Sequence, residues 1–172
     1  MNAPAALTSS AAAVAALAIA GMLAPAPASA TGSWGLNGTY IATSNGEWAK
    51  SADIFHNERS VRSTWTVSTV CSYPTECSGT VNSDAGWSAP IYQKAGVWYV
   101  RHVVPNWEPC PDGTAGDGMQ LFRFIAATPD GASADPNSNI LVGEDQTTGV
   151  PGACGVNPAL FITMPFKLVK QG

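Results

Sequence analysis

The sequence predicts an all-β domain, an antiparallel barrel or sandwich of about seven or eight short strands stapled by disulfides. Three observations predict it. Apolar residues recur at period 2 in short segments separated by Gly, Pro, Asn and Asp. After residue 30 no stretch carries a convincing helical stripe and no repeat is visible. Four cysteines stand in a chain that opens with an export segment, and exported cysteines pair.

The export segment comes first in the chain. Ala11 to Leu23 is an apolar run too short to span a bilayer comfortably, and Ala24-Pro25-Ala26-Pro27-Ala28-Ser29-Ala30 follows it. Ala28 and Ala30 meet the small-residue requirement of signal cleavage, so residues 1 to 30 read as a secretory signal peptide and Thr31 as the mature start. The first ten residues carry no Lys or Arg, which departs from the usual basic start. The competing reading is a retained anchor; the short run and its prolines argue against a stable transmembrane span. No cysteine near residue 30 offers a lipid attachment point.

Thr31 to Gly172 is long enough for one domain with a true core, burying about two-thirds of its unfolded surface. All twelve acidic and eight basic residues lie in that part, giving a net charge of −4 without a basic cluster. Nucleic acid and anionic membrane surfaces both need concentrated positive charge, so neither is expected as a partner.

Leu36 to Thr43 alternates weakly, and Asn45-Gly46 signals a type I′ turn into Glu47-Trp48-Ala49, a first hairpin. Ser51 to Arg59 has no strand period and reads as a loop or short helix. Val61 to Val81 is the clearest unit. Val61, Ser63, Trp65, Val67, Thr69 and Cys71 share one face, and placing Cys71 opposite Cys77 sets Thr69 opposite Gly79 and Val67 opposite Val81. Ile91 to Gln93 and Val97 to Val104 form a further hairpin around Lys94-Ala95-Gly96, with Trp98, Val100, His102 and Val104 on one face. Pro105 to Gly118 reads as a surface loop anchored by Cys110, and Met119 to Ala126 as a strand with Phe122 and Phe124 together. A polar loop, Thr128 to Asn139, precedes the strand Ile140-Leu141-Val142; Asp145 to Pro158 is a loop holding Cys154. In the last segment Leu160, Ile162, Met164, Phe166 and Leu168 share a face, while Pro165 marks an edge strand or a bulge.

For the cysteines, the preferred pairing is Cys71 with Cys77 and Cys110 with Cys154. Closing the short loop contributes about 2.4 kcal/mol in the chain-entropy model and closing the longer one about 4 kcal/mol. A zinc site is the competing reading, but the spacing is not that of paired knuckles and His56 and His102 sit apart from the cysteines.

Catalytic signatures are missing, as are nucleotide and metalloprotease motifs, so no catalytic residue, metal or cofactor is expected. Glu144-Asp145 point to opposite faces of a strand and cannot flank one glycosidic bond. Glu108, Asp112 and Asp117 bring a calcium site to mind, but Asp112 to Gly118 lacks an EF-hand's oxygen pattern and reads as a plain turn. His102 lies at an inward position, either as a satisfied core imidazole or as a polar group lining a cavity. His56, near Asp53 and Glu58, reads as solvated. Six tryptophans are the unusual feature: Trp65 and Trp98 read as core, whereas Trp48, Trp87 and Trp107 sit near turns where aromatics stack on sugars or cover an apolar ligand.

At Trp48-Ala49-Lys50, Arg62 to Val67, Gly86 to Pro90, Pro105 to Gly113 and Gly152 to Gly155, the chain resembles small exported actinobacterial proteins of the mycobacterial type. The resemblance covers nearly the whole mature domain and implies a secreted or envelope-associated protein without assigning an activity. Gly32-Ser33-Trp34 is similar to the G-x-W opening of lipocalins. The leading functional reading is an exported, non-catalytic domain that binds a ligand or an envelope glycan, lipid or protein, with Trp87, Trp107 and His102 as the ligand-binding candidates. The alternatives are a secreted hydrolase using His102 with a nearby carboxylate, and a structural or host-interaction envelope protein. Nothing in the sequence specifies an oligomeric state.

Overall fold

In the computed structural model, which describes residues 34–155 and 158–172, eight antiparallel strands close on themselves. The signal peptide read at residues 1 to 30 lies outside the described residues. The strands are β1 (Gly38–Ser44), β2 (Lys50–Ser51), β3 (Ile54–Phe55), β4 (Val61–Tyr73), β5 (Glu76–Ser83), β6 (Ser88–Lys94), β7 (Val97–Pro109), β8 (Ala115–Ala126), β9 (Ile140–Gly149) and β10 (Phe161–Lys170). β1 and β4 to β10 each pair with the next, and β10 returns to β1 from Tyr40↔Lys170 to Ser44↔Phe166. That closure makes an up-and-down barrel and not a sandwich. No α-helix is present among the described residues, and none of their helices is long and apolar enough to cross a membrane.

An eight-stranded barrel is just wide enough to be filled by its own side chains, and alternation supplies them. Trp65 from β4 lies at the centre, with the rings of Trp87, Phe122, Phe124 and Phe166 at 5.3, 4.9, 6.4 and 5.3 Å. Val67, Val81, Ile91, Val100, Leu141 and Leu168 complete the core. Burying one such indole stabilises the fold by about 5 kcal/mol at the usual apolar coefficient, an upper figure. Gly79 and Gly143 face the backbones of Ser68–Thr69 and Arg123–Phe124 so closely that a Cβ would collide with them. They let the strands coil where the sheet turns its corners.

The stapled hairpin forms in the expected register, Cys71↔Cys77, Thr69↔Gly79 and Val67↔Val81, and both expected disulfides are made. Elsewhere five local expectations change, the first being that Asp145 to Gly149, expected as the start of a loop, continues β9 as strand. Asn45-Gly46 does not make a type I′ turn: Gly46 has no positive φ, and Asn45 Oδ1 instead accepts from the Glu47 amide at 3.1 Å to start a 3-10 turn. Glycine is needed there because the Glu58–Arg59 backbone packs against it. The segment after it holds the small hairpin β2–β3, turning through Ala52 and Asp53 at φ 48° and 66° and docking on β10 by Lys50↔Thr163, and then runs as the expected loop from His56 to Arg59.

The Pro105 to Gly118 segment is mostly strand: β7 and β8 continue past a bulge between Val104 and Glu108, where Asn106 takes φ 52°. β10 is not an edge strand, for it pairs with β9 and β1 on its two sides. The Pro165 carbonyl accepts from the Asn45 amide at 2.9 Å, on the β1 side. A residue's N–H and C=O point the same way in a strand, so the donor that proline lacks faces the place where β1 has already ended.

Candidate functional site

The barrel's two ends differ in what faces inward. At the Cys71–Cys77 end, Leu36 packs on the core and Thr69 is bonded twice: its amide donates to Asn37 Oδ1 at 2.8 Å, and its hydroxyl donates to the Leu36 carbonyl at 3.0 Å. At the other end the inward face turns polar. β9 presents Leu141, Gly143, Asp145, Thr147 and Gly149 in alternation, β8 presents Gln120 beside Phe122, β7 presents His102 opposite Gln120, and β1 ends on Ser44.

Asp145 is fully buried. Ser44 Oγ donates to its Oδ2 at 2.6 Å and Gln120 Nε2 donates to both carboxylate oxygens at 2.8 Å. Burial outweighs these bonds and pushes the carboxyl up to about 6. Neither ion pair among the described residues, His56–Glu58 or Arg123–Glu144, includes it. The residues outside the description contain no Lys or Arg either. Glu144, its neighbour, points outward to Arg123 at 2.6 Å, as strand alternation requires.

Beside this group opens a cleft of about 50 Å³. Its polar lining is Ser44, Ser63 and Gln120, and its aromatic walls are Trp65, Trp87, Phe122 and Phe166. Trp87 comes from the turn between β5 and β6, which is folded back by the Thr64 amide donating to Asp84 Oδ1 at 2.9 Å. On its far face Trp87 stacks on the His102 imidazole, with centroids 4.0 Å apart and planes 14° from parallel. His102 Nδ1 donates to the Val103 carbonyl at 3.0 Å, which leaves Nε2 an acceptor; Nε2 is buried without a partner. Burial lowers this imidazole's affinity for a proton, opposed by the Val103 carbonyl and by Gln120 beside the ring.

The structure therefore brings Trp87 and His102 together and places Trp107 at the same end of the barrel, outside the cleft lining. Trp107 lies on the outer arm of β7 against Gly118 and Gly149, where a Cβ on Gly118 would overlap the indole. That arm is tied to the β9–β10 connection by Cys110–Cys154. Trp48 stands on the β2–β3 side, exposed and edge-on to Phe55 at 5.9 Å. In the extended β7–β8 tip Asp112 Oδ1 accepts from the amide and hydroxyl of Thr114, and Asp117 Oδ1 accepts from the Asn106 amide. These carboxylates close turns. Among the described residues His102 is bonded to a main-chain carbonyl and to no hydroxyl, thiol or carboxylate.

Ser44, Gln120 and Asp145 carry the polar end and were not singled out by the sequence. The signal that could have found Asp145 is the continuing alternation from Leu141, which the polar run Gly143 to Gly149 disguises as loop.

The fold and its polar end define a small, disulfide-stapled, closed β-barrel with an aromatic-walled cleft at that end; a larger cleft, about 470 Å³, opens by Pro129, Val142, Pro165 and Lys167. No family model matches the chain, and no curated protein matches it in sequence. A solved structure similar in fold is the monomer form of the M. tuberculosis PknI sensor domain: it aligns over 80% of this chain and 88% of that one with a TM-score of 0.55 at 19% identity. A mycobacterial sensor domain thus shares this barrel architecture.

Proposed function

We propose that this chain is an exported, non-catalytic binding or sensing domain that works outside the cytoplasm and takes a small ligand at the barrel end where Trp87 and His102 stack. The observation that carries the reading is the combination found only at that end: a fully buried Asp145 without a cation, beside an open cleft walled by aromatic rings. Uncompensated buried charge next to a cleft marks functional sites, because a fold gains no stability from it. Supporting evidence comes from three sides: two disulfides suit an oxidising compartment, residues 1 to 30 read as a signal peptide, and the structural neighbour is titled a sensor domain. Trp107, on the arm above the mouth, extends the same surface toward a larger ligand or an envelope component.

The test uses the purified exported protein and a water-soluble extract of the cell envelope. A saturable change in tryptophan fluorescence is expected, lost in Trp87→Ala and weakened in Trp107→Ala. An extract that produces no change, or a Trp87→Ala protein that responds like the parent, overturns the reading.

A further inference from the structure

Two of the cleft's three polar groups have their hydrogens committed. Ser44 donates its only hydroxyl proton to Asp145, and Gln120 turns its NH₂ to the same carboxylate. What they leave are lone pairs: the remaining one on Ser44 Oγ and both on Gln120 Oε1, which lies beside the His102 ring and takes no hydrogen bond among the described residues. Ser63 Oγ already accepts from Trp65 Nε1 at 3.1 Å and keeps one lone pair and the only free hydroxyl hydrogen of the set. A ligand that is itself an acceptor, a carboxylate or phosphate above all, would meet mostly lone pairs there. A ligand rich in N–H donors would meet its complement.

Charge points the same way. The Asp145 carboxylate stands one hydrogen bond behind the cleft wall, has no cationic neighbour, and belongs to a domain of net charge −4 that draws cations toward it. The rings of Trp65, Trp87, Phe122 and Phe166 offer π-faces and edges at the same spot, an environment that attracts an organic cation. Donor count then narrows the class. A primary ammonium brings three N–H donors to these lone pairs; a trimethylammonium brings none. A bare metal ion is a poor occupant too, since it needs six or so oxygen ligands and the lining offers about three.

Resting on the mouth being the binding site, we propose that the ligand enters as a primary ammonium, its –CH₂–NH₃⁺ group held by Ser44 and Gln120 against the aromatic walls and neutralising Asp145 through them. The class covers any small molecule or envelope component bearing such a headgroup.

The experiment follows the indole N–H resonances of Trp65 and Trp87 in ¹H–¹⁵N spectra of the exported protein at pH 7.5. Ethylammonium chloride is the probe, with sodium chloride at equal ionic strength and neutral ethanol of similar shape as controls. A saturable shift with ethylammonium is expected, with at least tenfold weaker binding of ethanol. Asp145→Asn, nearly identical in shape, should weaken ethylammonium binding at least tenfold, and Gln120→Leu, which removes the Oε1 acceptor together with the Nε2 bonds to the carboxylate, should do so as well should the first variant fold poorly. Equal response to ethanol, or undiminished binding by a folded variant, overturns the proposal. If ethylammonium moves neither indole while the envelope extract does, the ammonium class fails and the binding mouth stands; if neither moves them, both fail.

Discussion

Each end of the barrel is tied by a disulfide, yet the two ends spend their polar groups differently. Around Cys71–Cys77 the buried hydroxyls are bonded, that of Thr69 to the Leu36 carbonyl and that of Tyr40 to the Asn37 carbonyl, the Thr69 amide is bonded to Asn37, and the residues above are apolar. Toward Cys110–Cys154 the barrel holds an isolated carboxylate, an imidazole nitrogen without a partner and an open cleft. The same strands run through both ends, so the difference is not one of fold. It shows that the core from Trp65 to Leu168 stabilises the domain with enough to spare for a polar end that stability alone would not select.

The sharpest way to break this comparison is to cut each staple separately. Replacing Cys110 and Cys154 together by serine should lower stability by about 4 kcal/mol, since the bridge spans 44 residues, and should loosen the Trp107 arm. The same change at Cys71 and Cys77, 6 residues apart, should cost only about 2.4 kcal/mol and leave the Trp87 and His102 signals in place. Urea unfolding of both double variants measures this. Equal losses, or a disturbed mouth from the Cys71–Cys77 cut, would mean that the ends are not separable.

A second test sharpens the contrast by titration. Asp145 is held near 6 in the folded barrel against 3.8 ordinarily. A raised carboxyl binds its proton more tightly when folded, so stability is greatest below 3.8 and falls as pH rises toward about 6, by about 3 kcal/mol in all. The groups facing it are Ser44 from β1 and Gln120 from β8, with Phe122 and Met164 opposite in register, and none of them carries charge. In Asp145→Asn that part of the slope should vanish, leaving the variant more stable than the parent at pH 7.5 and no better at pH 4. A variant whose pH profile parallels the parent's would show that the carboxylate is compensated after all.

Much of the fold was legible because its buried face is apolar. Val61 to Cys71 alternates cleanly, the cysteine register follows from it, and both pairings form as expected. Where the buried face becomes polar, the same rule goes silent. Gly143 to Gly149 continues the β9 alternation inward through Asp145 and Thr147, yet its composition is that of a loop. Pro105 to Gly118 reads as loop for the same reason: prolines and glycines normally end strands, but here a bulge at Asn106 absorbs one irregularity and Pro109 falls near the hairpin tip. Trp87 and His102 could be singled out by residue type and by position near a turn or on an inward face. Their stacking depends on Asp84 folding the β5–β6 turn, a contact across strands that no local pattern encodes.

The smallest expected effect isolates His102. Its Nε2 is a buried acceptor without a partner, which costs stability, while its ring packs face to face with Trp87 and lies 6.1 Å from Phe122. Phenylalanine keeps the stack and removes the unsatisfied nitrogen, at the expense of the Nδ1 bond to Val103. The balance for His102→Phe at pH 7.5 is a gain of up to about 1 kcal/mol. On acidification the parent and variant should diverge further. Burial lowers the folded imidazole's pKa, so protonation favours the unfolded chain, and the parent loses stability as pH falls through the ordinary histidine range while the variant does not. Urea midpoints at pH 7.5 and 5.5 read both effects. A variant less stable than the parent at both values would mean that Nε2 has a partner in solution and that the cleft end is as well satisfied as the other.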